Sequence, residues 1–304
     1  MGMSVSSSTL AQAPTRQRGS AIRVIKYALF SASIVPSFVG AALAYHYAPQ
    51  SFNLLYAVLA GLGLFLGQMA GDYFYYYGTH FHSDARDAHT KIFAGWKPLY
   101  TDAFLGDRGT LWAGIACLVL DLAIAVFFTW QLGYEVMMLA GLGAAVAIFF
   151  TPLMLKGYKE PVIFLTFGPL VMVGIFYVLT QQLAWAPIVV SLPLGFLITV
   201  VAYLKGARYE LVSEGDQELI LKLNRRVIVL LSAFAYLSLA AAVLSGFVPA
   251  WGLLAFLALP VSYSVLSVIR KGTSEVSAYL WAVVRAIAAL VLVGAVLTLT
   301  FIYG

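Results

Sequence analysis

Lysine and arginine, 18 in all, cluster before the first of nine long apolar runs and in alternate links between them, Arg285 and Lys26 falling just inside a run, and this pattern dictates how the chain must fold. By eye the runs are Val24–Tyr45, Leu54–Tyr76, Leu111–Trp130, Val136–Leu155, Pro161–Thr180, Ala186–Leu204, Val227–Phe247, Trp251–Ile269 and Ala278–Tyr303. Each approaches the ~20 residues a helix needs to cross a bilayer. Arg16, Arg18 and Arg23 precede the first run, Lys26 lies at its start, and Arg86, Lys91, Lys97 and Arg108 separate the second from the third. Lys156 and Lys159 follow the fourth. Lys205, Arg208, Lys222, Arg225 and Arg226 follow the sixth, and Arg270 and Lys271 the eighth. Arg285 lies in the near part of the ninth. Links 46–53, 131–135, 181–185 and 248–250 hold neither lysine nor arginine. Basic loops stay in the cytoplasm, so the expectation is nine spans with the N-terminus and the charged loops inside and the C-terminus outside.

Composition agrees with a membrane protein. The chain is 62% hydrophobic and 10% charged, against about 25% charged residues in soluble domains. Mean hydropathy is +0.91. The net charge of +5 is therefore read as topology and not as a nucleic-acid surface. Cys117, the one cysteine, lies in an apolar run and can form no intrachain disulfide. Residues 1–22, rich in Ser, Thr, Gln and Ala, read as a disordered tail, leaving one domain over 23–304. The first run is too long for a signal-peptide core. The opening MGMSVS fits a myristoylation pattern only formally.

Two stretches concentrate ionisable groups. The second run ends in Asp72, Tyr73, Phe74, Tyr75, Tyr76 and Tyr77, followed by His80, His82, Asp84, Arg86 and Asp87. An ionisable residue entering an apolar span is costly and marks a candidate functional site. Asp72, Tyr76, His80 and Asp84 are four apart and share a face if the helix continues. The alternative is an interfacial aromatic belt with a solvated loop beyond it. The loop after the sixth run carries Glu210, Glu214 and Glu218, again four apart, with Asp216 beside them. Two carboxylate clusters in matching places can hold Mg2+, an ion that often bridges to phosphate. Lys97, Lys156, Lys159, Arg208, Arg225 and Arg226 could grip a diphosphate directly. A solvated amphipathic helix with Glu–Lys and Glu–Arg pairs is the competing reading. Asp121, in the middle of the third run, is expected to face the bundle interior, with either a hydroxyl partner or a place in a pocket. His80 and His82 alone make a weak metal signal.

The chain resembles the UbiA superfamily of intramembrane prenyltransferases, and among them the menaquinone branch, the naphthoate prenyltransferases. The residues that carry the likeness are SIVPSFVGAALA in the first run, GDYFYYYGTH at Gly71–His80, FAGWKPLYTDAFLGDRGTLWAG at Phe93–Gly114, and LKGYKEPVIFLTFGPLVMVGIFYVLTQ at Leu155–Gln181. It extends over nearly the whole chain, in order. It implies an all-α, nine-helix bundle with a central cavity and cytoplasmic cap loops. It also implies an integral protein of a prokaryotic plasma membrane whose partners are an isoprenyl diphosphate, a lipophilic acceptor and membrane lipid, with no nucleic acid.

By that resemblance Asp72, Glu210 and Glu214 hold Mg2+ against the diphosphate, and Lys97 and Arg208 take up charge as the C–O bond breaks. Tyr73, Tyr75, Tyr76 and Tyr77 offer π faces to an allylic cation. Glu160 orients an aromatic acid or phenol as acceptor, and His80, Asp84, Asp87 and Lys156 complete the substrate site. The chain departs from the family's N-D-Y-x-D-x-x-x-G-x-D motif at Gly71 and Tyr75, and Gly78 and His80 stand one residue short of its Gly and its last Asp. In the second motif only Arg208, Glu210 and Glu214 answer, one residue out of register. Tyrosine cannot replace a carboxylate on a hard cation, and histidine suits softer metals. Three readings stay open: transfer to an acceptor, cyclisation of the isoprenyl cation without an acceptor, and a lipid- or quinone-binding protein without catalysis.

Overall fold

A computed structural model of the chain describes residues 30–81, 107–206, 208–211, 219–222, 224–271 and 276–304. Asp84, Asp87, Lys97 and Glu214 lie outside these residues, as does the proposed tail. The first helix, α1, is Ser31–Tyr47. Leu54–Phe81 forms α2, Asp107–Leu132 α3 and Tyr134–Leu155 α4. The next crossing is composite: α5 (Lys159–Leu165), a π turn over Thr166–Leu170, and α6 (Val171–Thr180). Then come α7 (Trp185–Lys205) and α8 (Arg225–Leu244). A 3₁₀ stretch, Ala250–Ala258, leads into α9 (Leu259–Lys271), and α10 is Val276–Tyr303. Eight crossings among the described residues are long and apolar enough to span a bilayer. α1, with 17 described residues, packs beside them against α6 and α10. The polytopic helical organisation expected from the sequence is what the chain adopts.

Turn residues set the alternation of the crossings. Gly133 links α3 to α4 alone, at φ 115, a conformation that only glycine adopts without strain. Gly157, at φ 90, closes the short link between α4 and α5. The π turn contains Gly168-Pro169. Proline has no N–H to give to the helical ladder, and its ring crowds the preceding turn, so the ladder slips by one residue there. Thr166 Oγ1 donates to the Val162 carbonyl at 2.7 Å beside the slip. The turn lies against α7 at Gly168 and Gly195, where a Cβ on Gly168 would sit 3.3 Å from the Gly195 Cα.

α7 is the centre of the bundle. It is apolar on all sides, as a helix buried on all sides must be. In its most apolar window 72% of residues are buried, against 11% in α4. α3 and α4 therefore lie at the rim of the bundle, where residues such as Leu120, Leu122, Met138 and Leu142 are exposed. Trp130, Tyr134, Trp185, Trp251 and Tyr303 stand exposed at the end opposite the basic loops, and Trp112 and Tyr158 near the basic end. Amphipathic rings of this kind belong at bilayer interfaces.

The loop after α7 differs from the expected helix. Arg208–Leu211 (β1) and Leu219–Lys222 (β2) pair antiparallel, with Glu210 opposite Ile220 and Arg208 opposite Lys222. Glu210 thus stands on a strand and not on the helical face its spacing suggested, while Glu214 and Glu218 lie outside the described residues. The intervening SEGDQ is rich in turn formers and poor in helix formers, which favours a hairpin over continuous helix. Asn224 ties the hairpin's exit to the bundle: its N–H donates to Tyr203 Oη at 3.2 Å, and its Oδ1 caps α8 by accepting from Arg226 N at 3.1 Å.

Candidate active site

A cavity of about 510 Å³ lies between α2, α3, α4, the α5–α6 crossing and α7. That volume is in the range of small-molecule sites. Its wall is mostly apolar. Its charged lining residues are Asp72, Asp121, Lys159, Glu160 and Lys205. Four of these gather toward the end that bears the basic loops; Asp121 does not.

The charged end is built from helix termini. The last carbonyls of a helix have no intrahelical partner, and at the end of α7 side chains supply partners. Lys159 Nζ donates to the Ala202 carbonyl at 2.6 Å, and the Tyr279 hydroxyl donates to the Leu204 carbonyl. Between them Lys205 projects into the cavity, a cation at the helix end that favours cations. Gly206 follows without a side chain; a Cβ there would sit 2.9 Å from Lys159 Nζ. The two lysines are thereby brought close, although 46 residues of chain separate them. Asp72 comes from α2. The Gln68 amide, one turn earlier on the helix, donates to its carboxylate, and Lys205 faces it as an opposite charge.

The structure sorts the sequence candidates. Asp72, Tyr75 and Glu160 line the cavity. Tyr73 and Tyr76 do not: they are 4% and 6% exposed and pack among the helices. Tyr73 meets α3 at Gly114, where a Cβ would touch both Tyr73 and Phe74. Tyr76, although four residues from Asp72, falls outside the lining stripe, which runs through Gln68, Asp72 and Tyr75. Lys156 is exposed beyond the end of α4. His80 belongs to α2, and Arg208 and Glu210 to β1, but their side chains lie outside what is described. Aromatic lining comes from Tyr75 together with Phe128, Phe150 and Phe167. Tyr75 and Phe150 meet edge-on at 5.9 Å. Lys205, Gln68 and these phenylalanines are site residues that sequence reasoning missed. Lys205 reads in sequence only as a topological charge, and the phenylalanines as ordinary membrane residues.

Among the described residues, no group of three or more His, Cys, Asp or Glu is placed to hold a metal ion. Asp72, the carboxylate expected to do so, faces a lysine. Glu210 and Glu214, its expected partners, have no described side chains.

Fold and site together define a polytopic helical membrane protein with an intrabilayer cavity, apolar through its depth and charged at one end. No family model matches the chain, and no curated protein matches it. A solved structure, from work on digeranylgeranylglyceryl phosphate synthase in membranes, is similar to this chain at 12% identity with a TM-score of 0.49. The alignment covers 95% of this chain and 98% of that one. A likeness this distant transfers neither fold nor chemistry.

Proposed function

We propose that the protein is an intramembrane prenyltransferase, transferring an isoprenyl group from an isoprenyl diphosphate to a lipophilic acceptor. The observation that carries this reading is the polarity of the cavity: an apolar chamber whose lysines and Asp72 are gathered at one end. An isoprenyl diphosphate has the same division, a long apolar tail and a trianionic head. Lys159 and Lys205 meet the head, and Asp72 holds Lys205 in place. As the C–O bond breaks, charge moves onto the diphosphate, and preorganised cations stabilise that change. Phe128, Phe150, Phe167 and Tyr75 offer π faces to the allylic cation left behind. The resemblance to UbiA prenyltransferases in the sequence supports the same reading.

The aromatic lining also favours a second reading, cyclisation of the cation without an acceptor. One experiment separates the two. Purified protein is given geranylgeranyl diphosphate, with Mg2+ or with EDTA, and pyrophosphate release is followed before mass spectrometry of the lipid extract. Release that depends on an added acceptor, with a prenylated product, supports transfer. Release without one, giving a hydrocarbon, supports cyclisation. Failure to bind the diphosphate at all would leave a lipid- or quinone-binding protein. The EDTA arm reports whether the lysine pair suffices or Mg2+ must accompany the substrate.

A further inference from the structure

Asp121 plays no part at the diphosphate end. It sits on α3 about 20 Å along the axis from Arg108 and about 16 Å from Leu132, near the middle of the crossing. Its two carboxylate oxygens rest against glycines of α2. A Cβ on Gly63 would lie 3.0 Å from Oδ1, and one on Gly67 would lie 3.1 Å from Oδ2. Gly67 and Gly63 precede Asp72 by five and nine residues. The carboxylate therefore lies about 8–13 Å deeper in the cavity than Asp72. The two lining cations, Lys159 and Lys205, are both at the charged end. No hydrogen bond or charge partner to Asp121 is found among the described residues.

A carboxylate only accepts hydrogen bonds when ionised, and at mid-bilayer depth it is costly to keep unless it meets a ligand or partner. What it accepts from is an O–H or N–H donor in the cavity, either water or a ligand group that displaces it. What it repels is another anion, because no cation stands beside it in a medium where charges are poorly screened. We propose that Asp121 is a second polar station in the cavity, and that it binds the hydroxyl of a neutral lipophilic acceptor while refusing carboxylated ones. The word acceptor rests on the prenyltransferase reading; the hydrogen bond rests on the cavity alone. An acceptor that is an aromatic acid, as the menaquinone branch would require, is disfavoured by this geometry.

Calorimetric titration of the full-length protein in lipid nanodiscs with naphthol, its methyl ether and naphthoate tests this. The wild type is expected to bind naphthol about tenfold more tightly than either other probe, the scale of one hydrogen bond to a charged group. Asp121→Ala should erase the preference for naphthol over its ether. Asp121→Asn, similar in shape but uncharged, should keep part of that preference and admit naphthoate. Equal wild-type affinity for naphthol and ether, naphthoate binding as tight as naphthol, or a naphthol preference that survives in Asp121→Ala would each overturn the proposal. The wild-type comparisons hold even if a variant misfolds. Pyrophosphate release from geranylgeranyl diphosphate, measured in parallel, keeps the two ideas apart. In the wild type, a naphthol preference without pyrophosphate release defeats the prenyltransferase reading, and release without a naphthol preference defeats only the role of Asp121.

Discussion

Of the charged residues that line the cavity, Lys205, Asp72 and Asp121 each have a different physical cause for their placement. Lys205 stands at a helix C-terminus whose carbonyls are occupied by Lys159 and Tyr279, so its stem is placed by packing before any ligand arrives. Lys205→Met keeps the apolar stem and removes the charge. It is expected to lower pyrophosphate release about 100-fold, the usual effect of losing one preorganised stabiliser, with circular dichroism unchanged. Asp72→Asn keeps a group that Gln68 can meet but removes the charge facing Lys205. Its expected effect is weaker diphosphate binding through a lysine no longer held in place, read as a rise in KM. Asp121 is different again. On insertion scales a carboxylate at the centre of a membrane helix costs about 2.5–3.5 kcal/mol, and nothing described in the protein offsets it. Asp121→Asn should therefore raise stability by about 0.5–2 kcal/mol, visible as a higher melting temperature in detergent. A lower one would mean that the carboxylate is structural. At this scale Asp72 was legible in the sequence, because an acidic group at a span edge is conspicuous, and Glu160 through the family resemblance. Lys205 was not, since a lysine at a cytoplasmic helix end has an ordinary topological explanation.

Among the elements, the composite crossing of α5, the π turn and α6 decides the shape of the cavity. Thr166, Phe167 and Leu170 of the turn and Gly174 of α6 all line it, and the turn can approach α7 because neither Gly168 nor Gly195 has a side chain. Gly168→Ala forces its Cβ onto the α7 backbone, which can yield only by moving the helix that carries Lys205. A loss of about 1–3 kcal/mol is expected, as for other overpacked contacts, together with reduced pyrophosphate release. Thermal unfolding in detergent measures the first effect. The apolar runs located the eight described crossings, and the Phe167-Gly168-Pro169 turn was visible as a motif. The π slip itself was not, because it depends on how the ladder relaxes around Pro169. Nor was the hairpin after α7 anticipated. Glutamates spaced by four suit a helix face, but Gly215 and Asp216 between them suit a turn, and the Arg208–Leu211 and Leu219–Lys222 segments pair.

For the whole molecule, the antiparallel alternation of crossings puts the described basic residues Arg108, Lys156, Lys159, Lys205, Arg225 and Arg226 toward one end, with the cavity's lysines among them. Sidedness follows from the positive-inside rule and can be checked directly. In a Cys117→Ser background, Tyr158→Cys and Leu183→Cys lie at opposite ends and both positions are exposed. An impermeant maleimide added to intact cells is expected to label only the cysteine at 183; labelling at 158 would invert the topology. The sequence alone determined the order of the described crossings, the alternation of charged and uncharged links between them, and the place of Asp72 at a span edge. These follow from the energy of moving apolar and charged groups between water and lipid, which depends on composition along the chain. Only the tertiary structure decided which side chains meet. Tyr75 reaches the cavity while Tyr73 and Tyr76 are packed away, Lys159 joins Lys205, and Asp121 settles against two glycines of another helix. The bilayer satisfies every apolar face equally well, so rotation about each helix axis is left to close packing and hydrogen bonding between helices, and neither is written in local periodicity.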